Sequence, residues 1–89
     1  MTSKTTRQFR DGLAALPADI QRQADAAYKL FRQDPQLPGL QFKKVHAVEP
    51  IYSARITIHY CAVGVVTGDV IVWFWVGKHD AYEALLRSL

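Results

Sequence analysis

Three observations predict an α+β fold. Residues 6–33 repeat apolar side chains at helical spacing, residues 40–76 are rich in β-branched and aromatic residues, and Asp34-Pro35-Gln36-Leu37-Pro38-Gly39 separates the two stretches. Helices collected ahead of consecutive strands predict an N-terminal helical hairpin packed on an antiparallel β-meander, with the helices on one sheet face.

The elements follow in order. Thr2 to Thr6 is polar and β-tolerant, and reads either as a short edge strand or as a frayed end. From Thr6, Phe9, Leu13 and Leu16 fall at i, i+4 and i+7, with Arg7, Arg10 and Asp11 on the other side. Leu16-Pro17 ends this first helix, because proline disfavours the α conformation in its predecessor and suits the first turn of the next helix. The second runs from about Pro17 to Gln33, with Ile20, Ala24, Ala27, Tyr28 and Phe31 as its buried stripe. So short a break predicts that the two fold back on each other. The prolines and glycine of residues 34–39 stop the helix, and strands are expected over Leu40–His46, Ile51–Tyr60, Ala62–Val66 and Val70–Val76. Val66-Thr67-Gly68-Asp69 predicts a tight hairpin between the last two. Beyond Gly77, Tyr82, Leu85, Leu86 and Leu89 return to helical spacing and predict a short C-terminal helix.

Eighty-nine residues are expected to form one domain, and an apolar fraction of 49% with 21% charged residues is that of an ordinary globular chain. One cysteine, Cys61, excludes an internal disulfide framework and a multi-cysteine zinc site. Met1 to Arg10 lacks the apolar stretch of a signal peptide and no segment approaches a membrane span, so a soluble, cytoplasmic protein with no membrane partner is expected. A net charge of +3 and a pI near 9.2 permit an anionic partner without demanding one. Only the placement of the cations decides.

The unbroken apolar run Val70-Ile71-Val72-Trp73-Phe74-Trp75-Val76 needs cover on both faces and is expected to be the central strand. Its exit, Gly77-Lys78-His79-Asp80-Ala81-Tyr82, brings a cation, a histidine and a tyrosine to the point where the strand leaves the core, where side chains reach a ligand from rigid support. Read as one alternating strand, Ser53 to Cys61 points Ala54, Ile56, Ile58 and Tyr60 toward the helices and Arg55, Thr57, His59 and Cys61 toward the open face. The preceding strand adds Lys43, Lys44 and His46, though its mixed parity does not say which lysine shares that face. With Lys78 and His79 the sum is a basic surface with few acids nearby.

The helix pair and meander, Tyr52-Ser53-Ala54-Arg55-Ile56 leading to His59-Tyr60-Cys61-Ala62-Val63-Gly64, and Val72 to Tyr82 with Leu85 and Leu86 resemble the RelE/ParE superfamily of toxins from bacterial type II toxin–antitoxin systems. The resemblance covers almost the whole chain. It implies a ribosome-dependent mRNA endonuclease held in check by a cognate antitoxin in a hetero-oligomer, in which a ribose 2′-hydroxyl attacks the adjacent phosphorus without metal or other cofactor. Basic side chains, and often a C-terminal tyrosine or histidine, assist in such toxins. Carried onto this chain, the catalytic candidates are Arg55, His79, Tyr82 and position 61, and the RNA-binding candidates are Lys43, Lys44, His59 and Lys78. At position 61 the chain departs from the pattern: where the family usually has arginine, a bidentate phosphate clamp, this chain has Cys61. Cysteine cannot take that role, so weakened nuclease activity is expected. Losing such a contact costs on the order of 10²–10³ in rate.

Each candidate also has a plain structural reading. Arg55 suits a surface pair with Glu49 or Asp69; His79 suits either proton transfer to a leaving group or a helix start. Tyr82 falls on the apolar stripe with Leu85 and Leu86, and His59 suits the sheet surface. A nucleophilic Cys61 needs a cation beside it, and no Asn or Asp is placed to orient a histidine for it. His46, His59 and His79 lack ligand-type spacing for a metal. Two other functions stay open: a ParE-like DNA gyrase inhibitor, which shares the fold and needs no catalytic row, and a non-catalytic antitoxin-binding module.

Overall fold

The computed structural model describes residues 1–89. Five strands, β1 (Thr2–Thr5), β2 (Lys43–Lys44), β3 (Ile51–Arg55), β4 (Tyr60–Thr67) and β5 (Val70–Lys78), form one sheet in the order β1-β5-β4-β3-β2. Three helices, α1 (Arg7–Ala14), α2 (Ala18–Gln33) and α3 (His79–Ser88), complete the α+β fold. The sheet is mixed rather than a pure antiparallel meander, because β1 joins β5 in parallel, with Thr2 opposite Val70 and Thr5 opposite Trp73. The N-terminal stretch is therefore the edge strand, and β5 is an interior strand while β4 occupies the middle.

Local chemistry sets the boundaries. Thr6 caps α1 by accepting the Phe9 N–H on Oγ1 at 3.1 Å, and the Gln21 side-chain amide donates to the Ala14 and Leu16 carbonyls at 3.2 and 2.9 Å, tying α2 to the end of α1. A 3₁₀ turn at Pro38–Leu40 shortens the strand expected over Leu40–His46 to Lys43–Lys44. Gly68 takes φ +59° in the two-residue turn between β4 and β5, the left-handed conformation a tight primed turn requires.

The largest departure from the sequence expectation lies between residues 55 and 60. The expected long strand is two strands: β3 ends at Arg55, the chain turns through Ile56–His59, and β4 begins at Tyr60. The Ile56 and Thr57 amides both donate to the Tyr60 carbonyl, at 3.0 and 3.1 Å, and Thr57 Oγ1 accepts the His59 N–H at 3.1 Å. A threonine closing its own turn replaces the expected strand alternation.

The sheet has a core on each face. On one, Phe31, Leu40, Ala54, Ala62, Ile71, Trp73 and Val76 pack with Phe9, Leu13 and Ala27 from α1 and α2. Tyr28, expected in that stripe, is instead exposed, with the Arg32 guanidinium 5.9 Å from its ring centroid. On the other face Ile51, Cys61, Val63 and Tyr82 pack with Trp75, Leu85 and Leu86, so α3 covers much of the face expected to be open. A register shift at Val63/Gly64 lets Trp73 enter the first core and Trp75 the second. No helix is long and apolar enough to cross a membrane.

Candidate functional site

The expected row of Arg55, His59 and Cys61 along one strand does not exist, because the turn at Ile56–His59 interrupts it. Two of its members meet by another route. Cys61 is the register partner of Arg55 across the β3–β4 ladder and of Gly77 across the β4–β5 ladder, so the hairpin itself sets Arg55 beside Cys61.

A cleft of about 70 Å³ opens there, lined among others by Gln41, Lys43, Ser53, Arg55, Cys61, His79 and Tyr82. Lys43 opposes Ser53 and shares its side of the sheet, whereas Lys44 opposes Tyr52 on the other side. Register thus selects Lys43 over Lys44. Lys78 and the side chain of His59 are exposed but do not line the cleft. His59 contributes through its backbone instead: its carbonyl accepts the His79 amide at 2.9 Å and ties the β3–β4 turn to the first residue of α3.

The floor is built from small and buried groups. Behind it, outside the lining, Trp75 lies over Gly77, the register partner of Cys61, where a Cβ would come within 2.8 Å of the indole. Tyr82, 7% exposed, donates to Ser53 Oγ at 3.4 Å, and its ring centroid lies 5.4 Å from that of His79. Tyr82 thus docks α3 on β3, which places His79 at the rim. His79 Nδ1 stands 3.9 Å from Glu83 Oε1 one turn along the helix. The surface is therefore not free of acids.

Arg55 is exposed and has no ion pair; neither Glu49 nor Asp69 holds it. Cys61 is 8% exposed, and burial pushes its thiol up to about 11, with the Glu83 carboxylate adding to the rise. At neutral pH it is a thiol. A thiolate nucleophile at this position has no physical support, since desolvation and the neighbouring anion both oppose it. His46 is committed elsewhere: Nδ1 accepts the Val48 and Glu49 amides at 3.2 and 2.9 Å, and Nε2 lies 3.2 Å from the Leu89 carbonyl.

Sequence reasoning put Thr57 on the open face but missed Gln41, Ser53, Ala54, Ile58 and Tyr60 as cleft residues and Glu83 as the neighbour of His79 and Cys61. The side-chain hydroxyl of Thr57, able to close a turn, was the one available signal for the Thr57–Tyr60 group.

No family model matches the chain, and no curated protein matches it. Solved structures do. A chain of the RelB–RelE antitoxin–toxin complex from Methanococcus jannaschii superposes with TM-score 0.73 at 19% identity, over 92% of this chain and 96% of that one. YafQ from Escherichia coli gives 0.72 at 9% identity, over 90% and 94%. A YoeB/ParE toxin from Agrobacterium tumefaciens gives 0.69 at 15% identity, over 89% and 99%. At these identities the similarity is one of fold, and the fold is that of the RelE/ParE toxins.

Proposed function

We propose that this chain is the toxin of a toxin–antitoxin pair and an RNA-cleaving enzyme of low intrinsic activity, working on ribosome-bound mRNA and restrained by a cognate antitoxin. The observation that carries this reading is the gathering of Lys43, Arg55 and His79 around one cleft in a RelE-like fold, with the Arg55 guanidinium free of any acidic partner. Unpaired cations on rigid strand ends suit a phosphodiester.

Arg55 and Lys43 hold the scissile phosphate and offset charge that builds on its oxygens. The ribose 2′-oxygen bonds to phosphorus as the bond to the 5′-oxygen breaks, leaving a 2′,3′-cyclic phosphate and a 5′-hydroxyl. The 2′ proton passes to solvent, and protonated His79 delivers one to the departing 5′-oxygen. Tyr82 is a positioning residue in this scheme, because its hydroxyl is engaged with Ser53 and its ring is buried. Cys61 supplies shape to the floor and no charge.

The second reading, a gyrase inhibitor of ParE type, is favoured by the neutral Cys61 at the position where the toxins usually carry arginine. Induction in a bacterial host separates the two. The nuclease reading expects growth arrest with mRNA cut within translated codons; arrest with DNA damage and intact message would replace it by the gyrase reading, and unimpaired growth would leave the antitoxin-binding module.

A further inference from the structure

The cleft carries one large apolar side chain that the fold does not use. Ile58 is 71% exposed at the turn between β3 and β4, although burying an isoleucine is worth roughly 1.5–3 kcal/mol. Val48 is more exposed still, but it stands on the loop before β3 and does not line the cleft. Ile58 does, together with the half-buried Tyr60. Nor is Ile58 carried on a loose end, since the turn is closed by the two amide bonds to the Tyr60 carbonyl and by the Thr57 hydroxyl, and the His59 carbonyl fastens it to α3.

Cations and an apolar pair therefore surround one small cleft. A nucleotide presents the matching chemistry, an anionic phosphate beside a flat, weakly polar base. We propose that Ile58 and Tyr60 form a base-binding wall, against which the nucleobase next to the Arg55-bound phosphate packs by its face. Contact of this kind reads area rather than hydrogen-bond pattern, so it tolerates every base and favours the larger purines. This rests on the RNA-cleaving reading above and adds to it the group that holds the base beside the Arg55-bound phosphate.

The test uses a fluorescently labelled 2′-O-methyl RNA dinucleotide, which lacks the attacking hydroxyl and has one internal phosphate and so one register, and two copies each with one base removed. Binding is followed by fluorescence anisotropy for the wild-type chain, Ile58→Ala and Tyr60→Leu. In the wild type, one abasic position is expected to weaken binding about tenfold. Ile58→Ala is expected to weaken the intact dinucleotide about fivefold and to shrink the abasic penalty at that same position. Equal abasic penalties in wild type and Ile58→Ala at both positions would overturn the wall while leaving RNA binding in place. No binding of the intact dinucleotide by the wild type would overturn the wall as a base-binding site of the chain itself, whereas the RNA reading, which concerns ribosome-bound message, falls only if induction leaves message uncut. Ile58 is on the surface, so its variant stays informative even if Tyr60→Leu unfolds.

Discussion

The two faces of the sheet are covered to different degrees, and the difference sorts their tasks. Beneath α1 and α2 lies a cavity of about 230 Å³ walled almost entirely by apolar side chains, Phe9, Leu13, Phe31 and Trp73 among them. Beneath α3 the cover is one helix of ten residues, and where it starts the sheet presents a serine, a cysteine, an arginine and a lysine to a cleft about a third that size. The first face holds the chain together with aromatic mass, Phe31 meeting Phe42 and Trp73 edge-on at 5.0 and 5.5 Å. The second gives up part of its cover and thereby exposes polar groups on strands that the first keeps rigid. Arg55 stands at the end of β3, lining both hollows.

Substitutions on the second face sharpen this contrast, and the largest expected effect is a gain. Cys61→Arg places a guanidinium at the floor of the cleft, and cleavage of ribosome-bound message is expected to rise on the order of 10²–10³-fold. The larger side chain in a buried position is expected to lower stability by about 1–3 kcal/mol, read by urea denaturation. Unchanged cleavage would mean that position 61 faces no phosphate. The thiol offers a second measurement. Its folded pKa is raised from an ordinary 9.0 to about 11, so the folded state favours the protonated form: this stabilisation is complete below pH 9 and is lost as pH rises toward 11. Between pH 8 and 11 the wild type is expected to lose ~2–3 kcal/mol more than Cys61→Ala, and parallel curves would show that Cys61 ionises freely.

Smaller effects follow from packing. Gly77→Ala drives a methyl group against the Trp75 ring and is expected to cost about 1–3 kcal/mol, whereas Gly39→Ala meets no atom within 4 Å and serves as the neutral control. Tyr82→Phe removes the hydrogen bond to Ser53 and is expected to cost about 1 kcal/mol. If Tyr82 only positions α3, that variant keeps the pH profile of cleavage; a displaced profile would make its hydroxyl a participant.

Much of this was legible from periodicity. Both N-terminal helices, the Gly68-Asp69 turn and the α3 stripe carry local signals, because their burial is decided within a few residues. What escaped was non-local or locally ambiguous. Ile56-Thr57-Ile58-His59-Tyr60 alternates like a strand and contains no glycine, proline or asparagine, so nothing but the Thr57 hydroxyl marked the turn. The parallel attachment of β1 to β5 links residues about 70 apart, which no window sees. Arg55 and Cys61 share the cleft for a reason opposite to the expected one: they are neighbours across a hairpin, not along a strand. Lys43 and Lys44 could be told apart only by register. Glu83 entered the site through a helical turn.

The most direct measurement is the rate at which purified wild-type and Arg55→Ala chains cut message in a programmed ribosome. Because Arg55 is exposed and unpaired, the alanine variant should keep its thermal midpoint while losing about a hundredfold in rate. Equal rates from two equally folded proteins would contradict the assignment of this cleft as the place where RNA is broken.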